Sequence, residues 1–121
     1  MALKVTWLKK PGTTLSSSAA NIYHLDSGTA YIKMMILHNT SAISTETIAI
    51  YNVPNNGAAD GIASASASGN NRMYNFALAP KATELLEFSQ PIVLLNAHDT
   101  IQAKSTTADT VTIQIYGATD T

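Results

Sequence analysis

Apolar side chains in this chain recur at every second position, in short runs cut by Gly, Pro, Asn and Asp. The rhythm holds from about residue 20 to the C-terminus. A period of two belongs to a strand, whose successive side chains point to opposite faces, whereas a helix repeats at 3.6. In TVTIQIYG (110–117) Val111, Ile113 and Ile115 share one face, and in TIQAKS (100–105) Ile101 and Ala103 do. TETIAIYNV (45–53) sets Ile48 and Ile50 against Thr47, Ala49 and Tyr51 and stops at Pro54. RMYNFALA (72–79) aligns Tyr74, Phe76 and Leu78.

Further strands are expected over 19–24, closed by the turn Asp26-Ser27-Gly28, and over AYIKMMILHN (30–39). Two more are expected at TELLEF (83–88) and IVLL (92–95), separated by a turn at Ser89-Gln90-Pro91. No segment sustains a helical apolar stripe. About eight strands with short connections predict an all-β chain, an antiparallel β-sandwich of jelly-roll or immunoglobulin-like type.

One strand breaks the rule. Strict alternation in YIKMMILH puts Ile32, Met34 and Ile36 on one face and Tyr31, Met35 and Leu37 on the other, with Lys33 alone interrupting. A strand apolar on both faces needs both covered. The core covers one, so Tyr31, Met35 and Leu37 are expected to be covered by the N-terminal arm or by another chain, a role that adaptable methionines suit.

Two segments fall outside the strand pattern. Residues 1–18 end in the polar run PGTTLSSS and read as an N-terminal arm, with the sandwich domain occupying 19–121. Val5, Trp7 and Leu8 are too apolar for a free tail. They are expected to fold back on the sandwich or to dock on a neighbour, and removing residues 1–10 should leave the sandwich folded. The second segment is a Gly/Ala/Asn/Ser-rich loop around 54–70, long enough to be functional or mobile, with Ile62 its expected contact residue.

At 121 residues the chain has the length of one domain, and only 12% of it is charged, about half the usual share. A sparsely charged surface suits a protein that packs against copies of itself or a larger assembly. The net charge is −1 and the seven basic residues are scattered, so no stripe exists to neutralise phosphates and no nucleic-acid partner is expected. No run approaches the ~20 apolar residues of a spanning helix, and the N-terminus lacks a signal-peptide pattern, so no membrane partner is expected either. The chain has no cysteine, which excludes disulfides and thiolate metal sites.

His98 beside Asp99 is the one arrangement that looks like hydrolase chemistry. A base needs an orienting partner and a nucleophile within reach, but adjacent strand residues point apart. No Gly-x-Ser-x-Gly occurs, and Ser64, Ser66 and Ser68 lack glycine framing. The pair reads as a turn into a strand, and no enzyme is expected. His24, His38 and His98 have no ligand spacing, although His24 and His38 could face each other across a hairpin. Glu84 and Glu87, three apart on a strand, fall on opposite faces, against a glycosidase pair. No metal or cofactor is expected. Trp7 is the only tryptophan and the five tyrosines are dispersed, so an aromatic sugar platform is not evident.

The succession AYIKMMILHNTSAISTETIAIYNVP, then NRMYNFALAPKATELLEFSQPIVLLNAHDTIQAKSTTADTVTIQIYG, resembles a recurrent family of small tailed-bacteriophage virion proteins. The shared pattern is an extended strand ending in Asn-Thr, a second ending near Pro, and an alternating strand. A Glu-containing strand, Pro-Ile-Val-Leu, an Asp-Thr-Ile turn and a final Thr/Ile strand complete it. The resemblance covers about residues 29–117. At position 98, where the family commonly has Gly before Asp, this chain has His.

The resemblance implies a structural β-sandwich of the virion, assembled in a host cytoplasm. Its role would be decoration or cementing of the capsid shell, as a homo-oligomer with a trimer favoured. The major capsid protein or another virion protein would be the partner. The alternative it implies is a tail-tip or fibre module that binds a receptor or glycan.

Overall fold

The computed structural model describes residues 3–54, 72–95, 97 and 99–120. They form eight strands: β1 (Leu3–Thr14), β2 (Ala20–His24), β3 (Thr29–Asn39), β4 (Glu46–Val53), β5 (Arg72–Leu78), β6 (Thr83–Leu94), β7 (Thr100–Lys104) and β8 (Val111–Asp120). The strands make two four-stranded sheets, ordered β1-β8-β3-β6 and β2-β7-β4-β5, with every pairing antiparallel. The chain is an all-β sandwich. Its hydrogen-bonded pairs β1–β8, β2–β7, β3–β6 and β4–β5 are those made by doubling a chain back on itself between β4 and β5. Wrapped into two sheets, that ribbon has the double Greek-key wiring of a jelly roll rather than an immunoglobulin order.

The core lies between the sheets and is built by the alternation. Ile48, Ile50, Ile101, Ala103, Val111, Ile113 and Ile115 are fully buried, and Leu78, Leu94, Leu15 and Leu25 close its ends. At one open side Tyr74 of β5 and Phe88 of β6 meet across the gap between sheets, ring centroids 6.0 Å apart.

The end of β3 is fastened by Asn39, which is completely buried. Its side-chain amide donates to the carbonyls of Ser44 (2.8 Å), Leu78 (3.0 Å) and Ala79 (3.2 Å), and its Oδ1 accepts from Ser41 N–H (2.9 Å). One side chain thus joins the last residue of β3 to the end of β5 in the opposite sheet, satisfying backbone groups that a turn would otherwise leave unpaired. Buried Glu46 does similar work, its Oε1 accepting from Thr107 N–H at 2.7 Å.

Three differences from the sequence reading matter. Residues 3–14, expected as part of an arm outside the strand pattern that folds back on the sandwich or docks on a neighbour, fold back as the edge strand β1, laddered to β8 from Leu3↔Asp120 to Thr14↔Thr112. Two register shifts, between Trp7 and Lys9 and between Lys9 and Thr13, carry Lys10, Pro11 and Gly12 past the ladder, which hides the strand from a period-two search. The expected turn at Ser89-Gln90-Pro91 is instead internal to β6. Proline can sit there because β6 is an edge strand whose outward N–H needs no partner.

The third difference is in β3. Its register slips between Ile32 and Met34 against both neighbours, and relative to β8, where Gly117 and Tyr116 are consecutive, Lys33 is an extra residue in a β-bulge. An inserted residue reverses the parity downstream. Ala30 and Ile32 point inward before it, and Met35, Leu37 and Asn39 point inward after it. The assignment of Met35 and Leu37 to an outer contact face is therefore corrected, since both are fully buried in the core. The outer residues are Tyr31, Met34, Ile36 and His38.

A candidate docking face and groove

Register fixes which residues share the outer face of the β1-β8-β3-β6 sheet, because residues paired across strands point the same way. One row runs Ala118, Tyr31, Val93, and the next runs Trp7, Tyr116, Met34, Glu87. A third runs Gln114, Ile36, Leu85, and the last Thr14, Thr112, His38, Thr83. Only the last row is wholly polar. Outward strand residues of a sandwich are ordinarily polar, yet here Trp7 is 43% exposed, Leu85 47% and Val93 38%, with Tyr31, Met34 and Ile36 half-buried between them. Trp7 stands edge-on to Tyr116, ring centroids 5.6 Å apart and planes at 73°. That geometry suits the ring quadrupoles and holds both rings in place.

The bulge shapes this face further. Between the pairs Ile32↔Ile92 and Met34↔Glu87, β3 has the single residue Lys33 while β6 has the four residues 88–91. The mismatch parts the strands and leaves a groove of about 460 Å³ lined by Lys33, Met34, Glu87, Phe88, Ser89 and Tyr116. Met34, Phe88 and Tyr116 are half-buried, and Lys33, Glu87 and Ser89 are exposed. Beside it β3 and β8 approach closely. A Cβ on Gly117 would lie 2.0 Å from the Tyr31 carbonyl oxygen and 3.1 Å from a Leu8 methyl, so no side chain fits there.

Of the residues expected to make contacts, Trp7 and Tyr31 lie on this face. Leu8 packs against the core, and Met35 and Leu37 are within it. Val5 pairs with Ala118 through its backbone, while its side chain, like Ile62, lies outside the described residues. Leu85, Val93 and the groove were missed, because they become neighbours only through the β3–β6 register.

Ser64, Ser66 and Ser68 lie outside the described residues, and among the described residues those weighed for catalysis and metal binding do not converge. His24 is on β2 of one sheet, with Nδ1 3.1 Å from Asp26 Oδ1, and His38 is on β3 of the other, hydrogen-bonded to Thr83 Oγ1 at 2.8 Å. They are not hairpin partners. His98 lies outside the described residues, and Glu84 and Glu87 fall on opposite faces of β6. Among the described residues no three His, Cys, Asp or Glu side chains are grouped to hold a metal, and no helix is long and apolar enough to cross a membrane. Tyr23 has its phenol pKa raised, first by burial and then by the nearby Asp26 charge.

No protein-family model matches the chain, and no curated protein matches it.

Proposed function

We propose that the protein is a non-enzymatic structural component of a tailed-bacteriophage particle, a decoration or cement subunit that binds the shell as a homo-oligomer. The single observation that carries the reading is the apolar outer face of the β1-β8-β3-β6 sheet, where Trp7, Leu85 and Val93 stand exposed around Tyr31, Met34 and Ile36. The sparse charge of the chain and its resemblance to small phage virion proteins support the major capsid protein or another virion subunit as the partner of that face.

Docking would bury apolar surface worth about 25 cal/mol per Å². A specific interface takes roughly 800 Å² from each partner, part of which offsets the entropy lost on association. Repeated over many copies, such contacts hold neighbouring shell subunits together against internal pressure.

The test is occupancy of shells that lack the protein. The wild-type chain should bind saturably, and a variant carrying Trp7→Ser, Leu85→Ser and Val93→Ser, folded by circular dichroism, should lose most of its occupancy. Equal occupancy by that variant would contradict the reading. Removing residues 1–10 is not a clean alternative, since it strips β8 of most of β1.

A further inference from the structure

The geometry points to a second use of the same face: we infer that the groove at the Lys33 bulge binds a pyranose ring of a neutral glycan. Met34 and Tyr116 supply apolar and aromatic surface against which the C–H face of a sugar can lie, and the groove is bordered by Phe88, whose ring turns toward Tyr74 between the sheets. Trp7, edge-on to Tyr116, holds the tyrosine ring in orientation.

Around that surface stand an ammonium donor (Lys33), a carboxylate acceptor (Glu87), and two hydroxyls that donate and accept (Ser89 and Tyr116). Among the described residues neither Lys33 nor Glu87 takes part in an ion pair, so both keep their hydrogen-bonding capacity for a ligand. Opposite charges in one groove give no net attraction for an ion. Sugar hydroxyls, each a donor and an acceptor, match the mixture. A groove of about 460 Å³ is within the range of small-ligand sites and holds one or two rings.

The groove owes its existence to the paired irregularity of β3 and β6, for a regular ladder would close the strands over Phe88. Bulges recur where a sheet re-aims side chains beside a binding site. A partner laid over Trp7, Leu85 and Val93 would cover the groove, so sugar and partner compete for the face. The sugar site is therefore a property of the undocked protein and stands apart from the virion reading.

Trp7, the only tryptophan in the chain, reports on the site directly. The purified full-length protein is titrated with a panel of neutral mono- and oligosaccharides at millimolar concentrations. Trp7 fluorescence is followed together with backbone amide NMR shifts. The expected result is saturable binding of at least one panel member, with shifts confined to residues 33–34, 87–89 and 116. Glu87→Gln and Tyr116→Ala should each weaken binding about tenfold, the effect of losing a charged hydrogen bond or a stacking surface. Ile43→Ser, at an exposed turn residue, should leave it unchanged.

Should Tyr116→Ala fail to fold, Glu87→Gln and Ser89→Ala, at exposed positions, carry the test. Absence of saturable binding across the panel would overturn the inference, as would shifts located elsewhere or binding indifferent to these variants. Loss of shell docking in saturating sugar would tie the two uses together. Its absence alongside intact sugar binding would count against the docking face alone.

Discussion

The two sheets of this sandwich treat their outer faces oppositely. On the β2-β7-β4-β5 sheet Ala49 (4% exposed), Tyr51 (6%) and Val53 (2%) form a second small apolar cluster with Ala19. Two polar residues in the same rows, Thr100 and Gln102, are also buried and bonded: Thr100 Oγ1 donates to the Val53 carbonyl at 3.0 Å, and Gln102 reaches Thr100 Oγ1 at 3.5 Å. On the β1-β8-β3-β6 sheet residues of the same apolar character stand in solvent. Burial within the chain makes a side chain part of folding stability. Exposure of the same kind of side chain makes it available to another molecule. The difference separates residues that hold the fold from residues that the proposed docking would cover.

The strongest way to break that comparison is to change the phase of β3. Deleting Ile36 would turn Leu37 and Asn39 outward, emptying the core and unfastening the Asn39 bonds, and the chain should fail to fold. Deleting Lys33 removes only the extra residue. The β3–β8 ladder, whose partners Gly117 and Tyr116 are already consecutive, becomes continuous, and the sandwich should still fold. Circular dichroism and thermal melting distinguish the two deletions, and equal behaviour would contradict the bulge.

Next in size, Tyr51→Ala should cost about 3 kcal/mol in denaturant unfolding, as expected for truncating a buried aromatic side chain. Leu85→Ser and Val93→Ser, on the exposed face, should each stay within about 0.5 kcal/mol of wild type. A large loss at Leu85 or Val93 would show that face to be structural after all.

The smallest effect is a pH dependence at Tyr23. Its folded-state pKa is raised above the ordinary 10.0, so the fold favours the neutral phenol. That contribution is fully present below the unfolded value and is lost as pH rises through the folded one. Thermal midpoints should fall more steeply above about pH 10 in the wild type than in Tyr23→Phe. Parallel curves would remove Tyr23 as the cause.

Much of the sandwich was legible wherever alternation was uninterrupted. Val111, Ile113, Ile115, Ile48 and Ile50 fall in the core as their spacing requires. Legibility ended at each irregularity. Lys9, Lys10, Pro11 and Gly12 masked β1, and Ser89-Gln90-Pro91 read as a turn because a proline tolerated on an edge strand looks the same in sequence as one that ends a strand. Lys33 was visible as the single charge in an apolar run, but its consequence was not. A bulge needs the partner strands to reveal it, and without them Met35 and Leu37 were placed on the wrong face. The docking face and groove were illegible for the same reason, being assembled from four strands distant in sequence. The Asn39 network was hidden within the Asn-Thr strand ending, whose polar residues signal a turn without saying which carbonyls they reach.

The central claim is that the outer face of the β1-β8-β3-β6 sheet exists to be covered by another chain of a virus particle. A reconstruction of the particle that carries the protein tests it most directly. The account predicts Trp7, Tyr31, Leu85 and Val93 within about 4 Å of a neighbouring chain, with the opposite sheet free of that partner. A particle in which that face is open to solvent in every copy, or from which the protein is missing, would contradict it.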